Sequence, residues 1–372
     1  MRELDDLSRR ATIEGLRDRA PTLAHKTVTL GFDGFIDSVV RVILHKDNQQ
    51  PTSYFQSPHD FGKYIVEKGE KNFSLELEEI TTKLGGNMPI MANALSQLGL
   101  SVSCIGSLGY PDVHPVFLPM QSNCDLHSFA NPGVSKVLEF TTGKIMLAEM
   151  EALNRIPWEF IRDRVGINVF LDLFGKSDLI ALLNWSEMDN SADIWKGLLR
   201  DVLPHSTPGK KPIGFFDLSD CSKRSNERIQ EAIALIQSFS AYLDVVLSLN
   251  LNEAIIIHSV LTQKKYNEDQ VEEICKDIFD NIQIDTVMIH HSRQAIAWNA
   301  EGLHKRKSFF VKSPTILTGS GDNFNAGFCT GRLLGFDIGT SIVLGHATSN
   351  VYMQSGQSPS ATQLVEFLSE NL

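Results

Sequence analysis

The stretch Leu317-Thr318-Gly319-Ser320-Gly321-Asp322-Asn323-Phe324-Asn325-Ala326-Gly327-Phe328 sets two glycines around a serine, adds a carboxylate at once and opens a helix-compatible run. Glycines let the backbone turn tightly and approach a ligand closely, with N–H groups free to point inward. A helix start behind such a turn adds orphan N–H groups and the positive end of a dipole, a seat for an anion. A carboxylate in that seat repels a phosphate unless its partner is a hydroxyl that must lose a proton as a phosphoryl group arrives. The pattern points to phosphoryl transfer to an alcohol. The plainer reading is a Gly-rich turn whose aspartate caps the helix. Two other phosphate loops are excluded. No Gly-x-x-x-x-Gly-Lys-Ser/Thr occurs, and Phe324 stands where a dinucleotide fingerprint needs its third glycine.

Upstream of this stretch, from about residue 155, strand and helix patterns alternate. Strands are expected at Asp178–Leu183, Pro212–Phe216, Val245–Leu249, Thr286–His290 and Ala295–Trp298, with helices at 191–202, 226–240, 252–261 and 268–280. Such alternation predicts a parallel sheet with helices on both faces. Three closing helices follow near 322–334, 337–354 and 361–370. Toward the N-terminus, residues 1–24 read as a polar amphipathic helix with Leu7, Ile13, Leu16 and Leu23 as apolar points, closed by Pro21. Thr27–Phe32 is a buried strand by its β-branched content. Val39–Leu44, a helix at 59–70, the alternating run Phe73–Glu78, a helix from Gly86 to Leu98, a strand at Ser101–Ile105 and a hairpin of 137–140 with 145–148 complete the reading.

With 372 residues, 42% of them apolar and 21% charged, the chain has the composition of an ordinary globular protein. Its net charge of −11 disfavours nucleic acid or an anionic membrane as partner. An acidic balance does not forbid a phosphate ligand held by backbone dipoles. Five scattered cysteines, Cys104, Cys124, Cys221, Cys275 and Cys329, show no CxxC spacing and read as reduced thiols of a cytoplasmic protein. The charged opening Met1-Arg2-Glu3-Leu4-Asp5-Asp6 suits neither a secretory signal nor a transit peptide, and no apolar run reaches the ~20 residues needed to span a bilayer.

Four motifs then occur in one order. Gly31 through Asp37 leads out of the first strand. Gly85-Gly86-Asn87 opens a helix ending Ala92-Asn93-Ala94-Leu95-Ser96-Gln97-Leu98-Gly99. Asn250-Leu251-Asn252-Glu253 directly follows a strand, and Gly319-Ser320-Gly321-Asp322 comes last. Together, over roughly residues 26 to 360, they resemble the PfkB/ribokinase family of carbohydrate kinases. The resemblance implies a ribokinase-like α/β fold: a doubly wound, mostly parallel sheet with helices on both faces and a small β-lid. Residues 1–25 are then an N-terminal helical extension and 26–372 the kinase domain, with lid strands drawn from about 38–82 and 134–150. It implies ATP as donor, Mg2+ as cofactor and a small sugar as acceptor, and it allows a homodimer through the lid. Asp322 would be the general base. The amides of Gly319, Ser320 and Gly321 would form the anion hole, and Glu253 with Asn250 would organise the metal through water. Asp37, Gly85, Gly86 and Asn87 would meet the sugar, with Asp33 competing for the role of Asp37. The plain alternative for Asn250 and Glu253 is a helix start. A lid would exclude water, a competing acceptor.

The chain departs from the family pattern in four places. Ile316 replaces an acid near a monovalent-cation site. His290-His291-Ser292-Arg293-Gln294-Ala295 replaces a two-glycine turn near the nucleotide, so that either Arg293 compensates with a phosphate contact or the nucleotide sits differently. Met88-Pro89-Ile90-Met91 lacks a polar residue used in sugar selection, and Asp217-Leu218-Ser219-Asp220 matches an Asp-Pro-Asn stretch only loosely. These departures keep two alternatives open: a non-catalytic sugar- or nucleotide-binding homologue, and a nucleoside kinase of the same fold. The pair His290-His291 does not suggest a shared metal, because neighbours on a strand face opposite sides.

Overall fold

A computed structural model describes residues 2–47, 49–206, 209–264, 269–312 and 314–372. The central element is β1 (Thr27–Phe32), buried from its second residue onward. Such a strand is stable only when covered on both faces, as in a parallel sheet. The lid strands β2 (Phe35–Asp47), β3 (Gln50–Tyr54) and β4 (Leu77–Gly85) follow it. Next come β5 (Ser101–Gly106), β6 (Cys124–Ser128), β7 (Gly133–Phe140), β8 (Gly143–Glu149), β9 (Leu179–Leu182), β10 (Ile213–Asp217), β11 (Asp244–Asn250), β12 (Thr286–His291), β13 (Gln294–Asn299) and β14 (Gly302–Lys307). The main sheet runs β14-β13-β12-β11-β10-β9-β1-β5-β6. It is parallel from β6 to β12, and β13 and β14 add an antiparallel edge. The doubly wound expectation holds, and strand order reverses at β1.

The two faces of this sheet build two cores. Adjacent residues of β10 show how: Phe216 packs on Phe239 on one side, while Phe215 packs on Phe328 on the other. Each face is sealed by helices whose apolar stripes match it. The helices that position the site are α1 (Arg2–Arg19), α2 (Pro58–Lys68), α3 (Asn87–Gln97), α4 (Leu251–Thr262), α5 (Ser320–Leu333) and α6 (Ile338–Ser355).

α1 is shorter than the sequence suggests, and Ala20–His25 continues it as a 3₁₀ turn. Ile13, Leu16 and Leu23 are buried in the core of the α5–α6 face, whereas Leu7 is 59% exposed, contrary to the apolar pattern. Arg9 stacks on Phe309 and Arg19 donates to the Leu334 carbonyl, so α1 is docked along its length. The helix expected at 268–280 begins on a residue outside those described. Its observed part is Val271–Asn281.

The lid is a second sheet in which β2 lies between β4 and β7, β8 extends β7, and β3 pairs the far end of β2. The strand expected from residue 73 starts later, at Leu77, and runs on to Gly85. The alternation read there has another cause, since Phe73 stacks on Tyr64 and Leu75 joins a small core under α2. That core unites Val40, Val42, Leu138 and Phe140 with Phe55 and Phe61. The outer face of the lid is therefore covered by this chain's own α2. The other face carries Asp37, Ser135, Met146 and Ala148 over a cleft.

Candidate active site

Parallel strands deliver the site. Asp33 follows β1, Asn184 follows β9, Asp217 ends β10, Asn250 ends β11 and His290 lies near the end of β12. In open α/β sheets the ligand crevice lies beyond these carboxyl ends, at the reversal of strand order. α3, α4 and α5 start there as well, aiming their N-terminal amides and positive dipole ends at it.

At the start of α3, Gly86 caps the helix with φ of 92° and carries no side chain to satisfy the helix amides. Asp33 does so instead, accepting from the Asn87 N–H at 2.8 Å, the Met88 N–H at 2.9 Å and Asn184 Nδ2 at 2.6 Å. Asp33 is fully buried and engaged, and burial pushes its pKa up to about 6 against those hydrogen bonds. Of the two competing aspartates it is Asp37 that lines the cleft. A Cβ on Gly85 would lie 2.5 Å from Asp37 Cγ, so this glycine leaves room for that carboxylate. Asn87 Nδ2 donates to Ser219 Oγ at 3.0 Å, fixing its amide at the cleft wall.

The N-cap of α5 is Gly319, left-handed at φ of 89°, and Asp322 stands three positions on. The capping alternative for Asp322 therefore fails, and its side chain is left for the cleft it lines. The Ser320 amide donates to the Leu317 carbonyl at 3.1 Å, whereas Gly321 borders the open cleft. At α4 the plain alternative is realised. Asn250 and Glu253 form a reciprocal capping box, with the Asn250 N–H donating to Glu253 Oε2 at 2.9 Å and the Glu253 N–H to Asn250 Oδ1 at 3.0 Å. Both residues nevertheless line the cleft, so the cap holds them in place rather than hiding them.

Buried carboxylates crowd this floor. Burial first, then Asp217 and Asp33, holds the Asp322 pKa well above the ordinary range. Burial, Asp217, Asp220 and Asp322 do the same to Glu253. Asp217 is raised by burial alone, opposed by the Ser219 N–H and by Asn325. Among the described residues no group of three or more His, Cys, Asp or Glu is arranged to hold a metal by itself. Mutually destabilised carboxylates that line a cleft do fit Mg2+, which takes one or two carboxylates and fills its shell with phosphate and water.

The cleft measures about 920 Å3 and continues, past Asn250, Asn252, His290 and Gly321, into a second of about 820 Å3. Ser320, His291, Arg293, Phe310 and His346 line only the second. His290 lies against Phe324 at 5.0 Å with its pKa lowered to about 4 by burial and by His291, so it is neutral at physiological pH. His346, on the other side of Phe324, is lowered to about 3 by burial. The Nε2 atoms of His291 and His346 are buried without a hydrogen-bond partner.

Asp37, Gly86, Asn87, Asn250, Glu253, Gly321 and Asp322 thus share one cleft; Ser320 faces the second, and Gly85 and Gly319 shape the walls from behind. Among the positions that escaped the sequence reading as site residues are Asn184 and Ser219. Each has a positive φ, 59° and 58°, just beyond a strand end. Asn after an apolar strand is a usable signal for such a bend, and Ser is not.

The profile of prokaryotic ketohexokinases matches residues 4–371. The chain belongs to the prokaryotic ketohexokinase family. Its class is that of sugar kinases, phosphotransferases with an alcohol acceptor. A ketohexokinase from Haloferax volcanii is 25% identical over 92% of this chain and 90% of its own length. Among solved structures, an adenosine kinase from Sinorhizobium meliloti superposes with a TM-score of 0.65 at 14% identity, covering 93% of this chain and 99% of its own. A candidate ribokinase II from Escherichia coli, solved with ATP and Mg2+, gives 0.62 at 12% identity over 93% and 99%. These likenesses show the ribokinase fold. Among the described residues no helix is long and apolar enough to cross a membrane.

Proposed function

We propose that this protein transfers the γ-phosphoryl group of ATP to a hydroxyl of a ketohexose or a closely related small sugar. One observation carries the reading: Asp322, a buried carboxylate at the start of a helix, lines one cleft directly beside Gly321, which lines both that cleft and a second of different character. One cleft presents Asp37 and Asn87 for sugar hydroxyls. The other presents Ser320, Arg293, the imidazoles of His290 and His291 and apolar walls for a nucleotide.

In this reading Asp322 takes the proton of the attacking hydroxyl. The acceptor oxygen bonds to the γ-phosphorus, the bond to the bridging oxygen breaks and ADP leaves. Charge on the transferring group is met by the N-terminus of α5, with the amides of Gly319 and Gly321 as the anion hole, while the Ser320 N–H is held by the Leu317 carbonyl. The raised pKa of Asp322 suits a base that must accept a proton near neutral pH. Glu253 and Asn250, with Asp217 behind them, would hold a hydrated Mg2+, which neutralises phosphate charge when bound.

The ketohexose assignment rests on the Haloferax relative and the family. A panel of ketohexoses, aldohexoses, pentoses, sugar acids, sugar phosphates and nucleosides, assayed for acceptor-dependent ADP release from ATP, tests it. Release with a ketohexose supports the proposal. Release with nucleosides alone moves the protein to a nucleoside kinase, and none with any acceptor, with ligand binding retained, to a binding homologue.

A further inference from the structure

The lid hairpin reaches the loop that leads into the anion seat. Lys144, the second residue of β8, donates through Nζ to Thr318 Oγ1 across 174 residues of sequence. Thr318 precedes Gly319 and lines the acceptor cleft, and its carbonyl is held by Tyr352 Oη at 2.9 Å. By strand alternation Lys144 faces the same side as Met146 and Ala148, the lid face over the cleft. Asp37 lies in register with Lys83 on that face, and burial raises the pKa of Asp37 against the opposing pull of Lys83 and Lys144.

The charges are unevenly shared. Two lysines attend one carboxylate on the lid, while Asp217, Glu253 and Asp322 crowd the floor, where Lys223 is already paired with Glu187. Lys144 is itself destabilised as a cation, by burial and by Lys83, and is supported by Asp37 and Glu139. An ammonium has three donors, and Thr318 takes one. A cation at the edge of an anion seat is suited to a phosphoryl group that gains charge at its outer oxygens.

Building on the kinase reading above, we propose that Lys144 is a catalytic residue carried by the lid, whose ammonium meets the transferring phosphoryl group when the lid lies over a bound acceptor. Acceptor binding and phosphoryl transfer are then coupled through one hairpin. Lys144 stabilises the oxygens of the γ-phosphorus while its bond to the bridging oxygen breaks and its bond to the acceptor oxygen forms. The proton goes to Asp322, and Lys144 keeps its own.

The test uses the whole protein and its Lys144→Met and Lys144→Arg variants. Binding of ADP and of a non-hydrolysable ATP analogue, both with Mg2+ and saturating acceptor, is measured beside kcat and the acceptor KM. Lys144→Met is expected to weaken the triphosphate analogue at least ~10-fold while ADP changes less than ~3-fold, and to lower kcat about 10²-fold at nearly constant acceptor KM. Lys144→Arg is expected to restore most of the analogue binding. Equal loss for ADP and the analogue, or no loss for either, overturns the proposal. A wild-type protein that binds neither nucleotide overturns the kinase reading itself, a result distinct from failure of the lysine variant. Unfolding temperatures within about 2 °C of wild type are expected for this hairpin position, which belongs to none of the hydrophobic cores, and a larger drop with equal loss of both nucleotides assigns Lys144 a structural role.

Discussion

Asn325 Nδ2 donates to Asp217 Oδ2 at 2.8 Å, one helical turn beyond Asp322 on α5. Ser248 Oγ donates in turn to Asn325 Oδ1 at 2.9 Å, and the Ser219 N–H bonds the other Asp217 oxygen at 2.9 Å. The helix that carries the proposed base is thereby tied to the ends of β10 and β11 by a buried polar chain. Replacing Asn325 with Ala leaves a buried carboxylate oxygen without its donor. A loss of about 1–3 kcal/mol in unfolding free energy follows, read from urea denaturation. Unchanged stability would mean that this chain does not fix the helix.

The same chain makes Asp217 a lever on Asp322. Burial, Asp217 and Asp33, in that order, hold the Asp322 pKa above its ordinary value. A base works only when deprotonated, so the rate rises with pH through that raised pKa. Asp217→Asn removes a negative neighbour and shifts the acidic limb of the kcat/KM profile to lower pH, whatever activity remains. A limb that stays in place, or moves up, would detach Asp322 from the profile.

Stability follows the same carboxylates with a defined sign. The unfolded chain releases these protons near ordinary carboxylate values, while folded Asp322 and Glu253 retain them to higher pH. The stability present at low pH is therefore lost progressively as pH rises from the unfolded values toward the raised ones. Mg2+ bound among these groups offsets that loss. Thermal unfolding with and without Mg2+ is expected to show a larger metal-dependent gain at pH of about 8 than of about 6. A gain that is equal or reversed would remove the metal from this cluster.

Gly85 borders Asp37 so closely that a methyl group would lie 2.5 Å from its Oδ1. Gly85→Ala displaces the Asp37 carboxylate from the cleft. The acceptor KM should rise ~10-fold or more with little change in nucleotide affinity, the pattern of a lost ground-state contact. A change confined to the nucleotide would place the sugar elsewhere.

Much of this architecture was readable from residues. The β-branched run Thr27–Phe32, the alternating strands after residue 155 and the Gly-Asp turn all announce themselves through local backbone chemistry, and each appears where expected. Legibility failed where meaning depends on distant packing. Leu7 sits at a helical period yet faces solvent, because the stripe that α1 buries is centred on Ile13 and Leu16. Phe73 and Leu75 alternate like a strand but serve the core beneath α2. At the site, Asp33 and Asp37 were equivalent in sequence, and only the amides of α3 separate the engaged carboxylate from the one over the cleft. The capping box at Asn250 and Glu253 shows that a structural role and cleft exposure coexist at the same residues. Lys144 left no signal, since its partner Thr318 lies at the far end of the chain.

The central claim is that Asp322 takes the proton of a sugar hydroxyl as phosphate is transferred. Acceptor-dependent ADP release, measured side by side for the wild-type protein and Asp322→Asn with a ketohexose, ATP and Mg2+, tests it most directly. The account predicts a loss of at least ~10²-fold in turnover, with the variant still folded and still binding both ligands. Turnover within a few-fold of wild type in that variant would contradict it.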